Sequence, residues 1–313
     1  MIRHTILAAL ASAIAFPTTG IAADSSNPIK IPTHNWSSQI VMSHVVGNIF
    51  EKLGNKVEYV ETDANATYDM IRKGEVTLEV EVWEGVFGKL FDKAKSEGGL
   101  VDAGSHTATT REEWWYPDFV EAACPGLPDW KALNECAKLF ATTDTKGEGM
   151  FLAGPKDWPQ HHEERIDALD LNFKMVHAAS AEALWNAITD AEKAGKPIVL
   201  QNWTPNFVEA IHSGKFVEFP PYQPGCNDDP SIGINPAKAY DCGAPSSGYL
   251  KKAGWSGMEG EWPKAYASFQ KVSFTNAQIA EMAKLVDVDK MTATEAAASW
   301  LAKNEAVWKP WIE

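Results

Sequence analysis

Val76-Thr77-Leu78-Glu79-Val80-Glu81-Val82-Trp83 alternates apolar and polar residues and stops on a tryptophan, and Ile198-Val199-Leu200-Gln201-Asn202-Trp203 is an apolar run that stops on another. The first reads as a β-strand by its period of two, the second as a buried strand. Before the first run, residues 37–52 carry apolar side chains at helical spacing, 56–60 alternate like a strand, and 65–73 read as helix. After it, 87–97 read as helix and close on Gly98-Gly99. This is βαβα order, which implies a mainly parallel sheet with helices on its faces. The pattern then restarts. Residues 130–139 read as helix, 149–153 as strand, 161–169 as helix and 173–177 as strand, before an amphipathic helix over 181–194 that ends at Gly195. Two such blocks in series predict two α/β lobes.

Boundaries between the lobes are suggested by two extended, aromatic, proline-containing runs, Trp114-Trp115-Tyr116-Pro117 with its continuation to Glu121, and residues 215–222 around Pro220-Pro221. Neither continues a helix. As paired crossovers they make residues 116–222 one continuous lobe. The other lobe is then discontinuous, 24–115 plus 223–313. Residues 225–247, rich in Pro, Gly and Asp, read as loop, and the Ala-rich tail over 276–311 as helix packed back on the first lobe.

The chain holds 13 tryptophans in 313 residues, and their placement matters more than their number. Trp83 and Trp203 end strands, Trp158 follows the 149–153 strand and a Gly154-Pro155 turn, and Trp36 follows Lys30-Ile31-Pro32-Thr33 where strand gives way to helix. In open α/β sheets ligands bind beyond the carboxyl ends of the strands. Indole faces gathered there suit a cation, which the ring quadrupole attracts within about 6 Å. The expected cage is Trp36, Trp83, Trp158 and Trp203, with Trp115 and Glu84 close by.

Residues 1–23 read as a secretory leader: Arg3 and His4, then an apolar stretch over 6–16, then Ala22-Ala23 before Asp24. That stretch is too short to span a bilayer, which takes about 18 or more apolar residues. No cysteine lies near the cleavage point, so the expected mature protein is periplasmic, soluble and free of a lipid anchor. Export to an oxidising compartment favours disulfides. The four cysteines fall as two local pairs, Cys124 with Cys136 and Cys226 with Cys242, the simplest of three connectivities. Zinc-ligand spacing of the CxxC or HxxxH kind is absent. A formal net charge of −14 argues against a nucleic-acid or anionic-membrane partner.

These residues resemble the glycine betaine/choline/carnitine-type substrate-binding proteins of ABC importers, over essentially the whole mature chain. Asn202-Trp203-Thr204-Pro205 is like the family's Trp-Thr-Pro strand end, which carries one cage wall. Leu78 to Trp83 matches the strand supplying a second wall, and Trp36 with Ser37 a third. Trp114-Trp115-Tyr116-Pro117 and Gly126-Leu127-Pro128-Asp129-Trp130 resemble the family's crossover and the helix opening after it. The resemblance implies a two-lobed periplasmic binding protein, type II-like, with two crossover segments and the ligand in the interlobe cleft. It further implies a quaternary ammonium ligand in an aromatic box and a permease partner in the inner membrane, with the binding protein a monomer.

Departures from the family pattern bear on the ligand. Choline-binding relatives tend to carry an Asp shortly after the first Trp, where Ser37 and Ser38 stand here. Betaine binders often place a Pro two residues past the second, where Glu84-Gly85 follow Trp83. Glu84 could neutralise a cation or, protonated, hydrogen-bond a small dipolar oxide. With only Arg72, Arg111 and Arg165 near the motifs, a strong carboxylate clamp is not evident. A compact ligand with a small polar tip fits best, as in the trimethylamine N-oxide-binding subgroup, with glycine betaine or choline as alternatives.

A secreted enzyme acting on a methylated amine is the rival of another class. The chain has no Gly-x-Ser-x-Gly elbow, no phosphate loop and no His-Glu-x-x-His, and Gly254-Trp255-Ser256-Gly257 misses the elbow because Met258 stands fifth. His161-His162-Glu163-Glu164 reads as a solvated helix start. No cofactor is expected. Asn227, Asp228, Asp229 and Asp241 gather oxygen donors that a structural calcium ion accepts, without EF-hand spacing.

Overall fold

The computed structural model describes residues 23–158 and 161–313, so nearly all of the expected leader (1–23) lies outside the described residues. From β1 (Pro28–Thr33) the chain enters α1 (Ser37–Lys52), β2 (Lys56–Glu61), α2 (Thr67–Lys73), β3 (Leu78–Trp83) and α3 (Glu84–Glu97). A single strand of 18 residues follows, β4 (Leu100–Pro117). Next come α4 (Trp130–Glu135), β5 (Gly149–Ala153), α5 (His162–Ala168), β6 (Phe173–His177), α6 (Ala181–Ala194) and β7 (Val199–Thr204). The turn α7 (Val208–Ile211) leads to β8 (Gly214–Phe216), and a long irregular stretch to β9 (Gly248–Trp255). Helices close the chain: α8 (Met258–Glu261), α9 (Pro263–Lys271), α10 (Asn276–Asp287), α11 (Ala293–Lys303) and α12 (Glu305–Ile312).

Local signals set these limits. Ser180 caps α6 by accepting the Ala183 N–H, and Gly195 ends it in the left-handed region (φ 61°) that a side chain would resist. Thr275 with Gln278 and Thr292 with Glu295 form capping boxes at the starts of α10 and α11. The buried stripe of α1, from Val41 through Val45 and Ile49, packs against α10 and α11, so the tail does fold back onto the first half.

The sheet order is β3-β9-β4-β7-β5-β6, with β8 also on β4, while β1 and β2 form a separate parallel pair. That pair is tied to the start of β3 by the Thr77 N–H, which donates to the Lys30 carbonyl at 2.8 Å. β4 joins the halves. Its first part pairs antiparallel with β9, from Leu100 opposite Trp255 to Thr110 opposite Gly248. Its last part pairs antiparallel with β7, from Arg111 opposite Thr204 to Trp115 opposite Leu200. At about 3.3 Å per residue such a strand spans roughly 60 Å, too far to stay in one twisted sheet, so it exchanges partners midway.

The two halves are therefore hydrogen-bonded through one strand, and the exchange falls at Thr110–Arg111, upstream of the run at 114–121. The two aromatic runs are nonetheless neighbours, since Trp115, Tyr116 and Pro117 pair with Phe216, Lys215 and Gly214. Parallel pairing holds for β5 with β6 and β7, whereas β3, β9 and β4 are antiparallel because β9 returns from the C-terminal third. Cys124 is bonded to Cys136 and Cys226 to Cys242, with Cα atoms 5.8 and 6.4 Å apart. Among the described residues no helix is long and apolar enough to cross a membrane.

Candidate functional site

The larger apolar cluster runs from the first half, through Trp36 and Trp83, to Trp203 and Trp185 of the second. Inside it lies a cavity of about 40 Å³ lined by Trp36, Trp83, Trp158 and Trp203. Phe87 and Val86 of α3 complete its apolar wall, and Glu112 and Gln201 are its polar side chains. The four indoles expected from their strand-end positions therefore meet in space, and three of them are as buried as core residues.

Each wall is set by its neighbours. Trp36 and Trp83 sit where a strand turns into a helix, immediately before α1 and α3. Their indole N–H groups both donate to one carboxylate oxygen, Glu81 Oε2, at 2.8 and 2.9 Å, and Ser38 Oγ donates to the same atom at 3.2 Å. Trp36 lies face-on to Phe87 (6.0 Å) and edge-on to Trp158 (6.2 Å). Trp158 gives its N–H to Asn35 Oδ1 at 2.7 Å. A side chain at Gly154 would meet the Trp158 ring at 2.4 Å, so glycine is what lets the indole fold back against the end of β5. Trp203 is met edge-on by Trp158 (5.3 Å) and at a tilt by Trp185 of α6 (5.1 Å). Three of the indole N–H groups are thus turned to protein acceptors, and the Trp36 ring is itself stacked on His34 (4.7 Å) as well as facing Phe87, which fixes its plane at the wall of the cavity.

Two acids stand at this cage, and neither is Glu84. Glu112 is directly opposite Trp203 in the β4–β7 register, which puts both on one face of the sheet. Its Oε2 is buried without a partner, although the residue as a whole keeps some exposure. Burial, helped by Glu81 and Glu113, pushes its carboxyl up to about 8. Glu81 lies behind Trp36 and Trp83. Burial raises it to about 7 against the pull of its three donors, and its Oε1 is also unpartnered. Glu79, two residues earlier, is held differently, by His34 Nε2 at 2.8 Å and by the Val80 and Glu81 N–H groups. Burial lowers the His34 imidazole, but the Glu79 carboxylate outweighs it and the net shift is upward. All six residues of β3 are buried, so its polar face looks into this network rather than into water.

Glu84 faces a different cavity, with Arg111 and Tyr222, and its Oε2 accepts the Tyr249 N–H at 2.9 Å. Trp115 is core, pressed on Gly214 of β8, and does not reach the cage. A third cavity of about 70 Å³ adjoins the cage across Glu112 and Gln201, with His162 and Arg165 on its far side. His162 is held well below the usual imidazole range by burial and by Arg165, and Arg165 is ion-paired with Glu113. The acids of the 226–242 loop have protein partners: Asp228 with Lys89 (2.6 Å), Asp229 with Ser231, and Asp241 with the Asn235 N–H. Asn227 Oδ1 lies near the Cys242 sulfur. Among the described residues no group of three or more His, Cys, Asp or Glu side chains is arranged to hold a metal.

Residues 27–303 match the family described as the substrate binding domain of ABC-type glycine betaine transport systems. The chain belongs to this family. It is 48% identical, over 96% of both chains, to a trimethylamine N-oxide-binding protein of Pelagibacter ubique (strain HTCC1062). It is 24% identical over 67% of its length to the glycine betaine/proline betaine-binding periplasmic protein of Salmonella typhimurium, covering 65% of that protein. Among solved structures, the lactococcal glycine betaine-binding domain in its closed, liganded form superposes with a TM-score of 0.70 at 16% identity, covering 91% of this chain and 99% of that one. A choline-binding protein with choline bound gives 0.72 at 15% identity, covering 91% of each. The fold is thus the two-lobed binding-protein fold with its ligand cleft between the lobes, and the protein is a substrate-binding component of an ABC importer that partners a small ligand and a permease.

Proposed function

We propose that the ligand is trimethylamine N-oxide, held in the cage of Trp36, Trp83, Trp158 and Trp203 and delivered unchanged to the permease. The observation that carries this reading is the makeup of the cavity: four indoles, one protonatable carboxyl at Glu112, and no lysine or arginine among its described lining residues. Trimethylamine N-oxide is neutral overall, with a cationic nitrogen inside three methyls and the negative charge on one oxygen. The indole faces meet the methylated cation. Glu112, kept neutral by burial, offers an O–H to the oxide, which has no donor of its own. Glycine betaine would bring a full carboxylate towards Glu112, with no basic side chain in the cavity lining to receive it and the neighbouring Arg165 already ion-paired with Glu113. Choline would favour ionised acids, and burial here works against ionisation. The 48% identical relative supports the same ligand.

The reading calls for no cofactor. It includes export by the 1–23 leader and a free, monomeric mature chain, with the lobes meeting at the partner exchange in β4 and again between β8 and β9. Calorimetric titration at neutral pH against trimethylamine N-oxide, glycine betaine and choline tests it. Trimethylamine N-oxide is expected to bind at least tenfold tighter than the others and to be recovered unaltered. Tighter binding of glycine betaine or choline overturns it.

A further inference from the structure

Two pairs of adjacent residues face each other across the mouth of the cleft, Asn35-Trp36 after β1 and Asp157-Trp158 after β5. In each pair the second residue is a cage wall. The first residues are exposed and outside the cavity, yet they are linked twice. Asn35 Nδ2 donates to Asp157 Oδ2 at 2.7 Å, and Asn35 Oδ1 accepts the Trp158 indole N–H at 2.7 Å. Asn65 Nδ2 adds a longer bond to the Asp157 carbonyl at 3.3 Å. One amide therefore uses both its donor and its acceptor on consecutive residues of the opposite half.

We propose that Asn35 and Asp157 are a clasp that holds the cleft shut over the ligand and fixes the orientation of Trp158. They are positioning residues, and they set how long the ligand stays rather than how fast it arrives. The inference rests on the reading of the four tryptophans as the ligand cage. The encounter step precedes the clasp, because the open cleft must admit ligand before Asn35 and Asp157 meet. Departure requires both bonds to break, so their loss enters the dissociation rate, where most affinity differences among variants of one site appear. Lys290 and Glu182 also bridge the two halves, at 2.9 Å, but both are largely exposed and touch no cage residue.

The test is stopped-flow tryptophan fluorescence of the full mature protein with trimethylamine N-oxide, and with glycine betaine should that bind more tightly. Asn35→Ala is expected to raise the dissociation rate about tenfold and to change the association rate by less than about twofold. A tenfold change corresponds to about 1.4 kcal/mol. Asn35→Asp sets two carboxylates against each other and should raise the rate further. Adding Asp157→Asn to that variant restores one donor and one acceptor with the polarity reversed, keeps an oxygen for the Trp158 N–H, and should bring the rate back towards wild type. Glu182→Gln should leave it unchanged. A wild-type dissociation rate in Asn35→Ala, or no recovery in the double variant, overturns the clasp. If the wild type binds neither ligand, the cage reading fails, and the clasp fails with it for want of a ligand to retain.

Discussion

Removing one cage wall separates a binding role for the tryptophans from a purely structural one. Trp203→Ala takes away the face opposite Glu112 and the edge that steadies Trp158. The direct loss is one cation–π contact, about 0.5–2 kcal/mol. About 0.8 kcal/mol more is lost for each methyl no longer desolvated against the ring. The sum is near 2 kcal/mol, or about thirtyfold in Kd at 1.4 kcal/mol per factor of ten. Loss of affinity alone could reflect a damaged fold, since truncating a buried tryptophan costs roughly 3–5 kcal/mol of stability. Trp300→Ala is the matched control. Trp300 is fully buried in α11 against Phe274 (5.4 Å) and Trp311 (6.4 Å), away from the cavity. Both variants should unfold at lower urea. Calorimetry with trimethylamine N-oxide should show at least a tenfold weaker Kd for Trp203→Ala and less than twofold for Trp300→Ala. If Trp203→Ala, shown folded by circular dichroism, binds like wild type, the indoles are core and not cage. Equal losses in the two variants would refute the reasoning as well, because the effect would then track stability.

The acids give a pH prediction. A carboxyl raised in the folded state stabilises below its unfolded value and loses that contribution as pH rises through the folded one, so the advantage of wild type over Glu112→Ala should shrink between about pH 4.5 and about pH 8. Urea midpoints at several pH values measure this, and an advantage that grew with pH would contradict it. In Glu112→Gln an amide N–H can still reach the oxide, so binding should persist and lose its decline above about pH 8, which titration at pH 7 and pH 9 would detect. Replacing Cys124 and Cys136 together by Ser should lower stability by about 3 kcal/mol, as expected for freeing a short loop, with ligand affinity little changed. Guanidinium unfolding and titration of the same sample check both parts.

Much of the first half and of the cage could be read directly from residue order, because strand and helix periods and their punctuation are local. β3, α1, α6 and β5 lie where their apolar spacing puts them. What escaped has a common cause. Beyond the buried Leu100, the first part of β4 turns Ala103, His106, Ala108 and Thr110 inward, so from there to Thr110 its buried face is small or polar and carries no apolar alternation. β9 hides for a similar reason. Lys252 is fully buried there, its ammonium given to the carbonyls of Phe269 and Gln270 at 2.7 and 2.9 Å. Both strands are buried by partners distant in sequence, which a local window cannot detect.

The same distinction explains why Glu84 was the visible acid and Glu112 the one at the cage. Glu84 follows Trp83 in the chain, so sequence proximity suggests it, but at the start of α3 its side chain turns away to the Tyr249 N–H. Glu112 is remote from every cage tryptophan in sequence and meets Trp203 only through the β4–β7 register, which is long-range information. Placing the acid on that strand couples two properties. The stretch of β4 that carries Glu112 begins where the strand passes from one half to the other, so a shift of the halves would move this carboxyl relative to Trp36 and Trp83 while keeping it opposite Trp203. On the proposed ligand assignment, a carboxyl opposite Trp203 and lining the same cavity as Trp36 and Trp83 completes the site when the halves meet. A ligand with one polar atom, bonded there, then favours the closed form by as much as that single contact differs between the two states.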